Sequence, residues 1–380
     1  MKNFFKYFLS ILILANVVLL VTGNTHWYPA LYYNFADIDD YKIFENRIVK
    51  ATNPKQLSNS TDYNTKQYNS DFEAQMKVFK TKSLMVLKHD SVVYEKYWDG
   101  YNAQTLSGSF SVAKSIVSIL IGVAIKEGKI KNIDEPVSNY IKEFAEGDKN
   151  KITIRNLLTM SSGLKWDEAY SNPWSITTKA YYGDDLYTLC ANLKVETEPG
   201  KIFNYQSCNS QLLSFVIKSA TGKSVSQYAS EKLWGPLGAE HDALWSLDKK
   251  DGLEKAYCCF NTDARDFARL GLLYLHKGNY NGSQIVDTNY VTECTQPNNL
   301  KEIDGRVCDR YGMHWWCINR NGTNVFYARG ILGQYIFVIP QYELVIVRLG
   351  DGRGEPTPDG HVADVPLYID ETIKLFANSN

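Results

Sequence analysis

Strand-forming segments flank the main body of this 380-residue chain and helical ones fill its middle, an order that few folds accommodate. "SLMVLKHDSVVYEKYW" (Ser83–Trp98) reads as two strands around a His89-Asp90-Ser91 turn. Toward the C-terminus, "TNVFYA", "QYIFVIP" and "ELVIVRL" are further strands set apart by Gly and Pro turns. Between them run four helical patterns. "SVAKSIVSILIGVAI" closes where Gly128 suits a helix end, and "TIRNLLTMSSGL" is stopped by Gly163. "SCNSQLLSFVIKSAT" has Gly222 just beyond it, and "TDARDFARLGLLYLHKG" ends at Gly278. A sheet that needs both ends of the chain cannot be cut into independent domains. The expected class is α+β: an antiparallel sheet flanked by helices, with a mainly helical subdomain inserted. Residues 80–380 form this domain. Residues 24–79, rich in Tyr, Asn, Asp and Ser and without a clear period, are expected to be a lead-in segment.

The first 23 residues are of another kind. Lys2 and Lys6 precede "YFLSILILANVVLLVTG", an uncharged apolar run ending in small residues. A basic flank followed by such a run is the pattern of a secretory signal, and its length also approaches that of a membrane span. An exported chain, periplasmic or secreted, is expected, with cleavage and retention as an anchor both open. Contact with a membrane is expected only through this segment. The formal net charge of −1, without any basic run, argues against nucleic acid as a partner. The seven cysteines include no CxxC, and buried free thiols are the expectation for most. Adjacent Cys258 and Cys259 are not expected to bridge each other, because neighbouring residues fit disulfide geometry poorly.

Three Ser-x-x-Lys patterns occur: Ser111/Lys114, Ser162/Lys165 and Ser246/Lys249. The second has a glycine inside it and the third leads into a solvated "KKDG" turn. Only Ser111/Lys114 heads a long apolar run. Residues three apart share a helix face, so the Lys amine can reach the Ser hydroxyl. The positive end of the helix dipole and burial both disfavour an ammonium there. A neutral amine can then take the Ser proton. A solvated Ser cap with a snorkelling Lys fits the same letters equally well. Competing chemistries have no motif: there is no GxSxG, no HExxH and no GxxxxGK[ST], and the six histidines lack metal spacing.

The ordered phrases "SFSVAKS", "IRNLLTMSSGLKWDE", "EPGKIFNYQS", "LWGPLGAEHDALW", "TDARDFARLGLLYLHKG" and "GQYIFVIPQYELVIV" resemble the serine β-lactamase/penicillin-binding superfamily, on its class C side. The running pattern is most similar to 6-aminohexanoate-dimer hydrolase-like and esterase-like members. The resemblance implies a β-lactamase/transpeptidase-like fold and a hydrolase that works through an acyl-enzyme at Ser111. Lys114 would be its base and Tyr205, in Tyr205-Gln206-Ser207, its proton shuttle. It implies an oxyanion hole from the backbone N–H groups of Ser111 and Ile331, and no metal or other cofactor. The family's Tyr-x-Asn ends here in Ser207, and its Lys-Thr-Gly falls on Ala328-Arg329-Gly330, or one register on at Ile331-Leu332-Gly333. The leading cation that would hold a β-lactam carboxylate is thus missing, which favours a small neutral amide or ester as substrate. Tyr170, Arg329 and Gly330 are candidate substrate contacts. Asp266 and Arg269 are expected to pair on a helix for the sake of the fold. The alternatives are a β-lactamase or D,D-peptidase, or a catalytically silent, membrane-tethered binding protein. Oligomeric state has no signature in the sequence.

Overall fold

The computed structural model describes residues 2–170 and 172–377. Met1, Ser171 and the last three residues, which fall within the predicted segments, lie outside the described residues. A six-stranded antiparallel sheet forms the centre. Its strands run in the order Ser91–Tyr97, Thr81–Lys88, Leu344–Gly350, Gln334–Ile339, Thr323–Gly330 and Trp316–Arg320. The expected hairpin turns at His89 and Asp90, both left-handed (φ 47° and 64°), with Lys88 opposite Ser91. Strand Thr81–Lys88 then pairs with the last strand, Leu84 facing Arg348. The two ends of the main domain are thereby joined in one sheet.

Alternation along Thr81–Lys88 divides the interior into two. Leu84 and Val86 share one apolar cluster with Phe72, Tyr368 and Ile369, from helices Ser70–Val78 and Asp364–Phe376. Met85 and Leu87 belong to the other, with Ile116 and Leu270 from helices Val112–Lys126 and Ala264–Leu275. Both faces of the sheet are covered, so every residue of Gln334–Ile339 is buried. That explains why "QYIFVI" is nearly apolar throughout instead of alternating. Each such aliphatic or aromatic side chain contributes about 1.5–3 kcal/mol by leaving water.

Helix Val112–Lys126 is buried from Val112 through Ala124, which its unbroken apolar run requires. Helix Ser207–Thr221 packs beside it and ends in the expected left-handed Gly222 (φ 71°). The helix expected to reach Gly163 is much shorter. It spans Ile154–Leu158, and two residues on Met160 has a φ of 57°, which no helix interior accepts. Asp266 and Arg269 pair at 3.0 Å as expected. Asp266 also accepts the N–H groups of Glu240 and His241, so a buried carboxylate ties this helix to the preceding loop.

A second sheet joins Asn46–Val49, Ala243–Ser246, Phe260–Thr262 and Ser107–Gly108. Part of the lead-in segment therefore enters the core, with Val49 fully buried. Further upstream, helix Trp27–Tyr33 packs on helix Ile176–Tyr182. The apolar N-terminus is one helix, Lys2–Val21, and its stretch Asn3–Val21 has a mean hydropathy of 2.3 and is long enough to cross a bilayer.

The cysteines require one correction. Cys258 and Cys259 are bonded to each other, with their Cα atoms 3.8 Å apart. The left-handed backbone of Cys259 (φ 65°) turns the chain at the pair, a conformation that sequence adjacency alone does not reveal. The other five cysteines are free and buried.

Candidate active site

The site is assembled at the first turn of helix Val112–Lys126. Ser111 is the residue that caps this helix, and Phe110 before it is left-handed (φ 43°). A bulky residue held there costs on the order of 1–3 kcal/mol, so the surrounding structure must enforce the bend. Part of that enforcement comes from Gly330, at the end of strand Thr323–Gly330. A Cβ on Gly330 would lie 2.4 Å from the Ser109 carbonyl oxygen and 3.2 Å from Phe110 Cβ. Only glycine lets the strand end come this close to the serine turn. Ser111 and Ile331 consequently line the same cleft.

Lys114 Nζ lies 3.0 Å from Ser111 Oγ and donates to the Tyr257 carbonyl at 2.7 Å. Its side chain is 2 % exposed. Burial lowers its pKa from the ordinary lysine value to about 8, against the opposing pull of the Glu168 carboxylate. The amine also sits 5.3 Å from the ring centre of Tyr205 and 5.6 Å from that of Tyr257. Ser111 acts on the Tyr205 phenol as well, opposing the effect of burial on its pKa. Burial, with Glu168 adding to it, raises that phenol above its usual range, so it stays protonated at neutral pH. Its ring is braced by Tyr311 and Trp316, with centroids 5.9 and 5.6 Å away.

The other two Ser-x-x-Lys pairs have no such geometry. Ser162 is buried while Lys165 pairs with Glu196 at 2.7 Å, and Ser246 Oγ donates to Asn46. Tyr170 is half exposed, lines the cleft and donates its phenol to Glu168. Arg329 is stacked on Trp316, its Cζ 3.3 Å from the ring centre, and donates to the Gly360 carbonyl at 3.1 Å. Its charge therefore stands one ring away from Tyr205, outside the cleft that Ser111 and Ile331 line.

Two residues that sequence reasoning passed over complete the surroundings. Glu168 accepts the Ser207 N–H at 2.8 Å and the Trp166 indole N–H at 2.8 Å, and also the Ser207 hydroxyl. The third position of the Tyr-x-Ser triplet thus holds a carboxylate in place. The only signal for Glu168 was its presence in "KWDEAY", among the phrases that carry the resemblance. His314 is buried, its ring between the Leu158 carbonyl (2.9 Å) and Ser210 Oγ (2.8 Å). A carbonyl can only accept, so Nδ1 carries the hydrogen and Nε2 accepts from Ser210. Burial, with the nearby Lys114, lowers its pKa to about 3 and keeps the ring neutral.

The Beta-lactamase family model matches residues 69–366. The chain belongs to the beta-lactamase family. Membership makes this beta-lactamase-family protein a serine hydrolase, in keeping with the Ser111/Lys114 geometry. A curated relative, 6-aminohexanoate-dimer hydrolase of Paenarthrobacter ureafaciens, is 26% identical over 324 residues, covering 81% of this chain and 82% of its own. A solved Bacillus anthracis protein named for the same activity superposes with a TM-score of 0.77 at 24% identity, over 91% of this chain and 95% of its own. A family VIII carboxylesterase structure gives 0.64 at 19% identity, over 87% and 100%. These structures share the β-lactamase/transpeptidase-like fold of the present α+β domain.

Proposed function

We propose that this beta-lactamase-family protein is an exported hydrolase of a neutral amide or ester, working through an acyl-enzyme on Ser111. The observation that carries this reading is the buried Lys114 amine 3.0 Å from Ser111 Oγ. In its neutral form the amine takes the hydroxyl proton as Ser111 Oγ bonds to the substrate carbonyl carbon. The developing oxyanion is held by the backbone N–H groups of Ser111 and Ile331, which the Gly330 contact brings to one cleft. Tyr205 passes a proton to the leaving amine or alcohol as the C–N or C–O bond breaks, and regains one from Lys114. Water then attacks the acyl carbon, Tyr205 and Lys114 taking its proton and passing it to Ser111 Oγ as the acyl C–Oγ bond breaks and the acid is freed. The scheme uses no metal or other cofactor.

Substrate neutrality follows from the third motif. In either register of that motif, at Ala328 or at Ile331, an uncharged residue takes the place of the β-lactam-binding cation, and Arg329 is engaged with Trp316 and Gly360, which supports this reading. A name for amide hydrolysis on the curated relative and for ester hydrolysis on a fold neighbour agrees with such a substrate. The test is a fluorophosphonate probe followed by intact-mass measurement on the wild type and Ser111→Ala. One adduct on the wild type and none on the variant is expected. No adduct on the wild type, or equal adducts on both, would sink the assignment. Turnover of short esters or amides with none of nitrocefin is the expected substrate pattern.

A further inference from the structure

The surroundings of Ser111 differ in chemistry. Ser111 itself lines a largely apolar cavity of about 390 Å³, within the size range of small-molecule sites. Its wall includes Phe110, Tyr182 and Leu332, and also Ala30, Leu31 and Phe35 from the segment that follows the apolar N-terminal helix. Tyr205, which does not line that cavity, instead borders an open depression shared with Glu302, Asp304 and Arg310. An apolar acyl part therefore fits the cavity when a scissile carbonyl is at Ser111, and a polar leaving group fits toward Tyr205, the proposed proton donor.

The cavity mouth is itself apolar and exposed. Leu31 and Phe35 line the cavity yet are 67% and 64% exposed, and Trp174 beside it is 72% exposed. Trp27 meets Trp174 edge-on at 4.5 Å, so the two aromatic segments form one rim. Tyr28, Tyr32 and Tyr33 extend it with further exposed rings. Aromatic residues of this kind settle at the level of lipid headgroups. Only residues 22–26 separate the end of helix Lys2–Val21 from helix Trp27–Tyr33. Five residues span at most roughly 18 Å, so a membrane holding the first helix lies within reach of the rim.

Resting on the hydrolase reading above, we propose that the substrate is an amphiphilic ester or amide with a long acyl chain, drawn from the bilayer in which the N-terminal helix is retained as an anchor. The acyl chain enters past Leu31 and Phe35, and its carbonyl meets Ser111. Hydrolysis releases a fatty acid and a polar alcohol or amine. Each methylene added to the chain contributes a factor of up to about four in binding while the cavity still has room.

The experiment uses the full-length protein in phosphatidylcholine vesicles. With 4-nitrophenyl acetate and decanoate, kcat/KM is expected to be at least tenfold higher for the decanoate. Ala30→Trp, which fills the cavity, and Leu31→Glu, which charges its mouth, are each expected to lower that decanoate-to-acetate ratio tenfold. Leu31 is on the surface, so its variant tests the idea even where Ala30→Trp fails to fold. A flat or falling chain-length profile overturns the acyl assignment. A fluorogenic acyl lipid in the enzyme's own vesicles is expected to turn over at least tenfold faster than in separate vesicles, and equal rates overturn the membrane origin. Fluorophosphonate labelling of Ser111 in the same samples reports separately on the hydrolase reading, which stands if labelling persists while these preferences are absent.

Discussion

Glu168 and Ser207 are joined twice, the carboxylate accepting both the backbone N–H and the hydroxyl of the serine. The pair stands at the start of helix Ser207–Thr221, where a negative charge is favoured by the helix dipole. It also faces the buried Lys114, whose ammonium it stabilises. Replacing Glu168 by Gln keeps most hydrogen bonds and removes the charge. The apparent pKa of kcat/KM is then expected to fall by about one unit. A pH–rate profile on the wild type and E168Q checks this, and superimposable profiles would refute it.

The wild-type profile follows from Lys114 itself. On the proposed scheme the amine must be neutral to act as base, and burial lowers its pKa to about 8. Log kcat/KM for a neutral ester is therefore expected to climb with unit slope below that pH and to level off above it. Lys114→Met should lose about 10²–10⁴ of the plateau rate above pH 8 and flatten the slope below it, because the titrating proton acceptor is gone.

Lys255 carries a charge without evident use. It has no exposure, its Nζ has no hydrogen-bond partner among the described residues, and it rests 4.6 Å from the ring centre of Phe44. Burial lowers its pKa to about 8, whereas the unfolded chain holds that proton to about pH 10.4. Between those limits the unfolded state binds more protons, so this group makes stability rise with pH, and its cost is largest below 8. Lys255→Met is expected to stabilise the protein by about 1–3 kcal/mol at pH 7 and by less at pH 9.5. Urea denaturation at the two pH values measures both.

Arg348 anchors the turn that follows Gly330. It is fully buried and donates to the carbonyls of Leu332 (2.9 Å), Gly333 (2.5 Å) and Phe79 (2.5 Å). Leu332 and Gly333 are both left-handed, φ 58° and 81°, and a Cβ on Gly333 would overlap the guanidinium. Arg348→Met leaves these carbonyls unsatisfied and is expected to cost roughly 2–4 kcal/mol. Its effect on catalysis should appear in kcat, since it shifts the Ile331 N–H, and also in KM, since Leu332 in the cavity wall moves with the same turn. Gly330→Ala provides a matched case: its Cβ would push on Ser109, and a displacement near 1 Å is expected to cost about 10²-fold in kcat.

Much of the architecture was legible because it rests on periodicity. The hairpin at His89-Asp90 and the helix Ser207–Thr221 announce themselves by turn residues and by a terminal glycine. The meeting of Ser111 with Lys114 follows from three-residue spacing at the head of an apolar run. What could not be read depends on contacts distant in sequence or on backbone angles. Glu168 is one acid among 42 acidic residues, and its partner Ser207 lies 39 positions away. Ile154–Leu158 was overextended because the left-handed turn at Met160 has no glycine to mark it. Ala30 and Leu31 lie in a stretch without period and reach the cleft only through packing on Ile176–Tyr182.

The pairing of Leu84 with Arg348 also sets the order of events in synthesis. Ser111, the proposed nucleophile, leaves the ribosome early, but the strand that neighbours the hairpin, and the arginine that holds the Ile331 turn, come some 240 residues later. At about 5–20 residues per second this interval lasts on the order of ten seconds or more. During it the hairpin Thr81–Tyr97 has no central neighbour and Ser111 has no completed cleft. On the proposed scheme, the reactive serine is thus made well before the strand and the arginine that complete its cleft.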